Sequence, residues 1–182
     1  MSRGGRDHYT LRPVAQFRTR PVVDHVVETQ VCDNAIVRAL DGFGPITRSR
    51  SLETQMALRI IHDANNMDAN LNVTTQPVNN AKAGVFRRAL RLANAREPAS
   101  LRRLMLASPK TRWLADARDD DGDGDDVDVW TGIETTVVRA YDDMHDHLVG
   151  AGALGATPNA RRVVVAFADA LTGYMERFGA LA

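Results

Sequence analysis

Apolar residues recur at helical spacing along most of the chain, and this pattern predicts a protein built almost entirely of helices. A first helix is predicted to begin at Pro21 and to end at Gly42, because valine, isoleucine and leucine recur over two wide faces. Further helices are predicted from Ser49 or Ser51 to about Ala64, over residues 81–95, over residues 100–107, from Trp130 to Gly150, and from Thr157 to about Phe178.

One segment, Leu71–Thr75, predicts a strand. It is short, it contains β-branched residues, and Pro77 follows it. A lone predicted strand leaves the helices to form the core, so the fold class expected is all-α.

The predicted architecture is an antiparallel four-helix bundle over residues 21–182, with an extra C-terminal helix. Residues 1–20 are predicted to form an extended basic arm, because they carry five arginines against one aspartate and show no periodicity. An acidic loop is predicted over residues 115–129, because eight aspartates between residues 116 and 128 repel one another and cannot bury apolar area.

The length of 182 residues fits one compact domain, or two small ones at most, and the composition is 44% hydrophobic with only 5% aromatic residues. The core is therefore expected to consist mainly of Val, Leu, Ile, Ala and Met. The single cysteine, Cys32, lies in an apolar stretch and is expected to be a buried thiol. No apolar run reaches the length of a membrane span, and the first residues lack the apolar segment of a secretory signal, so a soluble, unexported protein with no membrane partner is expected.

Charge is balanced over the whole chain but divided between its two parts. Residues 1–112 carry 18 basic and 9 acidic residues, a net charge of +9, whereas residues 113–182 carry 5 basic and 14 acidic residues, a net charge of −9. A basic part favours a polyanionic partner, and the two parts together favour attraction between copies of the chain.

Arginines supply nearly all of the positive charge and form the main candidate binding set. Contacts between guanidinium groups and phosphates give affinity without sequence choice, and the chain's aromatic residues are not interleaved with the arginines as in base-stacking proteins. A codon preference for arginine and pairing of these arginines with the acidic part both stay open as alternatives. The predicted phosphate-binding residues are Arg48, Arg50, Arg87, Arg88, Arg91 and Arg96.

Three patterns of carboxylate and histidine suggest metal chemistry. Asp119, Asp121 and Asp123 occupy alternate positions as in the first half of a calcium loop, but the second half lacks the bidentate glutamate, so the prediction is weak calcium binding or a solvated loop. His62-Asp63, with His25 upstream, superficially resembles the ligand order of HD-type metal phosphohydrolases. Asp143 and His147 stand one helical turn apart, where a solvated polar face is the alternative.

The order of elements resembles the coat proteins of rod-shaped, tobamovirus-like plant viruses. Those subunits are four-helix bundles with a short strand after the second helix, an arginine-bearing third helix, a carboxylate-bearing loop and a long fourth helix. The matching features span roughly residues 22 to 150. The first half of the match is the first helix, which ends near Leu40, the segment Thr47-Arg48-Ser49-Arg50-Ser51 that leads into the second helix, and the strand Leu71–Thr75. The second half is the third helix with Arg87, Arg88 and Arg91, the aspartate loop, and the fourth helix with Thr135 and Arg139.

The resemblance implies a structural protein, not an enzyme, whose copies form a helical homopolymer around single-stranded RNA in a virion or in the host cytoplasm. It implies that Glu134, Thr135 and Arg139 face the RNA and that the stacked aspartate loops, which repel when ionised, act as an assembly switch. No catalytic residue and no cofactor beyond weakly bound calcium are expected. Two alternatives stay open: a cellular or phage-encoded helical adaptor that binds protein, and the HD-type phosphohydrolase.

Overall fold

Seven α-helices and one two-stranded antiparallel sheet make up the part of the chain described by this computed structural model, residues 5–41, 51–116, 128–150 and 155–181. The fold is therefore mostly helical, as the sequence predicts. Along the chain the elements are β1 (Pro21–His25), α1 (Thr29–Asp41), α2 (Leu52–Asn65), β2 (Leu71–Thr75), α3 (Gln76–Asn94), α4 (Leu101–Leu106), α5 (Pro109–Asp116), α6 (Val129–Val149) and α7 (Pro158–Arg177).

Side-chain caps fix the first turns of four helices. Ser51, Ser100 and Thr157 each accept a hydrogen bond from the main-chain N–H three residues later, at 3.2, 3.4 and 3.3 Å. These caps satisfy N–H groups that have no partner inside the helix. The predicted beginnings of α2, α4 and α7 are thereby confirmed. Asp128 caps α6 in the same way, accepting from Thr131 N–H at 2.8 Å.

The predicted strand is confirmed as β2, but its partner is a segment that the sequence pattern assigns to a helix. Residues 21–25 form β1, paired antiparallel with β2 so that Val23 lies opposite Val73, and the helix begins only at Thr29. The helical prediction for residues 21–28 is wrong. β-branched Val22 and Val23 suit an extended backbone, and a partner strand about fifty residues away supplies the hydrogen bonds.

Helices α3 and α5 also differ from the prediction. Helix α3 begins at Gln76 instead of Ala81, with a proline in its first turn, where the absent N–H costs no hydrogen bond. Helix α5 is absent from the prediction, because the pattern treats Pro109 as a terminator although it stands at the first helical position. Helices α5 and α6 also extend into the predicted acidic loop 115–129, and residues 117–127 lie outside the described ranges.

Helix α7 lies at the centre of the fold. It packs against α1, α2, α3 and α6, and it buries Val164, Phe167 and Leu171 completely. The sequence predicts this helix as an addition to a bundle, and the coat-protein resemblance implies no helix at this position. Within the described residues, no helix is long and apolar enough to cross a membrane.

The core is built mainly from aliphatic residues, as composition predicts. Cys32 lies in it with 2% of its surface exposed, which confirms the expected buried thiol. Burial, with a smaller effect of Asp33, raises the pKa of this thiol to about 12. The thiol is therefore protonated at neutral pH.

The N-terminal segment differs from the extended arm that the sequence predicts. Residues 6 and 13 form an isolated antiparallel bridge, and the turn between them buries Asp7 and Tyr9. The Asp7 carboxylate accepts hydrogen bonds from Asn72 Nδ2 and Thr74 Oγ1, both at 2.8 Å. This turn is therefore held to β2 by a fully buried carboxylate.

Gly132, in the first turns of α6, allows the N-terminal segment to approach this helix. A Cβ atom at this position would overlap the main-chain oxygen of Tyr9. The Thr136 hydroxyl, one turn later, donates to Gly132 O at 2.7 Å within α6, and its oxygen lies 3.3 Å from the main-chain oxygen of His8. The first turns of α6 thus pack directly against the main chain of the N-terminal segment.

We expect Gly132→Ala to lower the free energy of unfolding by about 1–3 kcal/mol, because Tyr9 must move away from α6. Gly84 in α3 and Gly173 in α7 are matched controls, since no atom lies within 4 Å of a Cβ built at either position. Alanine there should raise stability by about 0.5–1 kcal/mol through helix propensity. Urea unfolding of the three variants measures the difference, and equal effects at all three positions would contradict the close approach.

Candidate nucleic-acid interface

The outer face of α3 carries Arg87, Arg88 and Arg91, all exposed. Arg91 lies four residues after Arg87 and three after Arg88, so the three share one side of the helix. The opposite side is buried and consists of Val78, Ala81, Lys82, Val85, Phe86, Ala89, Leu90 and Ala93. The apolar pattern of the helix thus forces these three guanidinium groups into solvent together.

The exposed arginines of α3 differ in their pairing from Arg38, Arg102 and Arg177. Arg38 donates to Asn94 Oδ1 at 3.2 Å and stacks on the Tyr174 ring, with its guanidinium carbon 4.3 Å from the ring centre. Arg102 pairs with Glu134 at 2.8 Å, and Arg177 donates to a main-chain oxygen. In contrast, Arg87, Arg88, Arg91 and Arg96 make no ion pair or hydrogen bond with any described residue. Their positive charge is not neutralised by the described part of the chain.

Arg96 stands immediately beyond the end of α3 in a left-handed backbone conformation, with φ of 61°. The N–H of Glu97 donates to Leu92 O at 2.9 Å, and the N–H of Arg96 donates to Ala93 O at 3.1 Å. These two bonds form a Schellman motif, in which glycine is the usual residue at the left-handed position.

Helix α7 ends in the same motif with the usual residue. Gly179 has a φ of 67°, its N–H donates to Glu176 O at 2.9 Å, and Ala180 N–H donates to Met175 O at 3.0 Å. The chain therefore uses glycine at one of two equivalent helix ends and an exposed arginine at the other. Since a side chain is disfavoured in this conformation, Arg96 lowers stability at this position.

The other predicted contact residues lie on a different helix. Glu134 is engaged by Arg102, while Thr135 and Arg139 are exposed on α6. Helix α6 packs on α2, α5 and α7, and α3 packs mainly on α4 and α5. Helix α5 therefore packs on both of the helices that carry the predicted sets. Arg48 and Arg50 lie outside the described residues.

Two residues that the sequence does not single out lie beside the α3 arginines. Trp113 and Lys110 of α5 line one cavity together with Arg88, and Trp113 is 36% exposed. The sequence separates Trp113 from Arg88 by 25 positions, so nothing in the sequence places the two side chains together. The pair Ser108-Pro109 could have indicated that a helix carrying Trp113 begins here, because it matches the Thr157-Pro158 pair that correctly predicts the beginning of α7.

A buried charged cluster lies on the inner face of α3. The Lys82 ammonium is completely buried and lies 2.8 Å from Asp24 Oδ2 and 3.1 Å from Glu28 Oε1. It also donates to the main-chain oxygens of His25 and Val26. All three ammonium hydrogens can therefore be satisfied by the protein itself, which favours a structural role for Lys82.

Burial also affects the acidic groups of this cluster. Desolvation raises the pKa of Glu28, with Lys82 acting in the opposite direction. Tyr9 donates to Asp24 Oδ2 at 2.7 Å, and burial together with the Asp24 charge raises the pKa of its phenol well above its ordinary value. Tyr9 is therefore a neutral donor that links the N-terminal segment to β1.

The predicted metal ligands receive little support from the described residues. Asp119, Asp121 and Asp123 lie outside them, and elsewhere in the described ranges no three His, Cys, Asp or Glu side chains are grouped to hold a metal. His62 Nδ1 lies 3.4 Å from Asp63 Oδ1 with both side chains largely exposed, and His25 contacts Asn66 instead. His62, Asp63 and His25 therefore do not converge on a common point.

A comparison of the chain with protein-family models, with curated proteins and with solved structures finds no match.

We expect Arg96→Gly to raise the free energy of unfolding by about 1 kcal/mol, because glycine relieves the left-handed backbone conformation. Arg96→Ala removes the same charge but keeps the strain, so its stability should stay within about 0.5 kcal/mol of the native chain. Gly179→Ala at the equivalent end of α7 should lower stability by about 1 kcal/mol. Urea unfolding measures all three, and equal stabilisation by Arg96→Gly and Arg96→Ala would show that charge repulsion is the cause.

Proposed function

We propose that the chain is a structural subunit that packages single-stranded RNA in a helical nucleoprotein filament through sequence-independent contacts between arginines and phosphates. The observation that carries this proposal is the set of exposed arginines on and just beyond α3, none of which has an acidic partner among the described residues. Unneutralised guanidinium groups on one helix face bind a polyanion by releasing its counterions. The proposed setting is a virion or the host cytoplasm.

Self-association is the second part of the proposal. A net charge of +9 on residues 1–112 and −9 on residues 113–182 allows the basic part of one copy to face the acidic part of another. We propose that α1, α2, α6 and α7 form the four-helix bundle of the subunit, since α1, α2 and α6 each pack on α7. Helix α3 then lies beside the bundle and presents its arginines outward.

We expect a variant with Arg87, Arg88 and Arg91 changed to Gln to bind a labelled oligouridine more weakly and with less salt dependence. Loss of three phosphate contacts should reduce the slope of log K against log salt concentration by about 2. A matched control changes Arg59, Arg161 and Arg162 to Gln, which removes the same charge from other exposed positions. Fluorescence anisotropy over a salt series measures both slopes.

Equal losses in the two triple variants would show that net charge, and not the outer face of α3, governs binding. Negative-stain microscopy of the native chain with RNA tests assembly separately and should show filaments. A chain that neither binds RNA nor forms filaments contradicts the proposed function.

The acidic segment is proposed as an assembly switch. Changing Asp119, Asp121 and Asp123 to Asn should make filaments persist as the pH is raised through the range in which carboxylates ionise, because fewer like charges then repel between stacked copies. Changing Asp142, Asp143 and Asp146 of α6 to Asn is a control with the same change in charge. Microscopy over a pH series compares them, and an unchanged pH range for the first variant would contradict the switch.

A protein-binding adaptor is the second candidate, favoured by one observation. A shallow groove on α7 is lined by Pro158 and Ala166 with Val165, which is 41% exposed, and by the charged Arg161, Arg162 and Asp169. A mixed apolar and charged helix face of this kind suits a partner helix. Absence of RNA binding and of filaments would favour this candidate.

A further inference from the structure

The cavity between α3, α4 and α5 combines an apolar wall with a cationic rim. Its volume is about 480 Å³. Val85, Leu104 and Trp113 supply apolar surface, and Arg88 and Lys110 supply two exposed positive charges. No carboxylate is among the described residues that line it. The cavity therefore offers a place for a flat, apolar group that carries negative charge beside it.

A second groove lies beside this cavity, on the side of the N-terminal segment. The two share Pro77 and Asn80 at the beginning of α3, and the second, of about 890 Å³, is bordered by Arg20. Within the described part of the chain, this groove is also lined without a carboxylate. Arg20, Lys110 and Arg88 come from three separate parts of the chain, and they border the surface formed by these two neighbouring grooves.

Trp113 is the aromatic residue of this surface, and its side chain is held in place. Its indole Nε1 donates to Lys110 O at 3.0 Å, within α5. The preceding turn is anchored because Thr111 Oγ1 donates to the buried main-chain oxygen of Met105 at 2.8 Å. A large aromatic side chain left partly in solvent on a fixed helix provides a surface on which a nucleobase can stack.

We propose that this groove binds single-stranded nucleic acid with one unpaired base stacked on Trp113 and with the neighbouring phosphates held by Arg88 and Lys110. This inference rests on the proposed RNA-binding function and makes it more specific. Arginine–phosphate contacts alone tolerate a duplex, whereas stacking requires a base that is free of its complement. The site therefore selects single strands without selecting a sequence.

The chain carries its own optical probe for this site. It has two tryptophans, and Trp130 is completely buried whereas Trp113 is exposed in the groove. Titration with oligouridine should therefore change the emission of Trp113 and leave that of Trp130 unaltered. In Trp113→Phe only the buried tryptophan remains, so the change in emission should vanish.

Binding of labelled oligouridine and of the same length of duplex RNA is then compared for the native chain, Trp113→Ala and Trp113→Phe. Trp113→Ala should raise the Kd for the single strand about five- to hundredfold. Trp113→Phe keeps an aromatic face and should raise it less. Leu106→Ala, at another exposed apolar position on α4, is the matched control and should leave the Kd unchanged. Circular dichroism establishes that each variant is folded. If Trp113→Ala is unfolded, Lys110→Gln is measured instead, and it should raise the Kd for the single strand.

Each outcome distinguishes the groove from the broader function. Two results together would overturn the stacking site and leave the proposed function standing. Trp113→Ala would bind RNA with native affinity, and RNA would not change the Trp113 emission of the native chain. Equal affinity and equal emission change with duplex RNA would also overturn it. Absence of RNA binding by the native chain would overturn both, and an emission change with an acidic polypeptide but not with RNA would assign the groove to a protein partner.

Discussion

The arrangement of this fold depends on one buried ammonium group. Lys82 projects from α3 into the interior, where Asp24, Glu28 and two main-chain oxygens surround it. Removing one partner from such a buried set costs about 3–5 kcal/mol, because the remaining charge stays out of water without compensation. Helix α3 therefore cannot shift along β1 without a large penalty. Tyr9, bonded to Asp24, extends the same constraint to the N-terminal segment.

The cations on the two sides of α3 differ in whether they have acidic partners. On the inner side, Lys82 is compensated in full by neighbouring acids and fixes the position of the helix. On the outer side, Arg87, Arg88 and Arg91 meet no acid in the described residues and remain available to a polyanion. Part of the basic charge that the sequence places in residues 1–112 thus lies on the outer face of α3. Because Lys82 fixes the position of this helix, its outer arginines keep one orientation beside the groove that contains Trp113.

Local features of this chain could be predicted, and features that depend on distant residues could not. Ser51, Ser100 and Thr157 mark helix beginnings because a cap acts within three residues. The strand at residues 21–25 escapes prediction because valines at helical spacing satisfy the helix pattern equally well, and the deciding hydrogen bonds come from residues 71–75. The arginines of α3 could be selected from their spacing, whereas Trp113 could not be placed beside Arg88 before α4 and α5 were known to fold back on α3.

The contact between the N-terminal segment and α6 has a consequence for the order of folding. Thr136 and the main-chain oxygen of His8 are 128 positions apart, and α1 packs on α7 near the other end of the chain. Contacts of such long sequence separation slow folding, and here they cannot form until most of the chain has been synthesised. During translation residues 1–112, the basic part, are synthesised first, and the core that they share with α6 and α7 forms only after those helices are made. A nascent chain therefore exposes its arginines to cellular polyanions before it has a native fold.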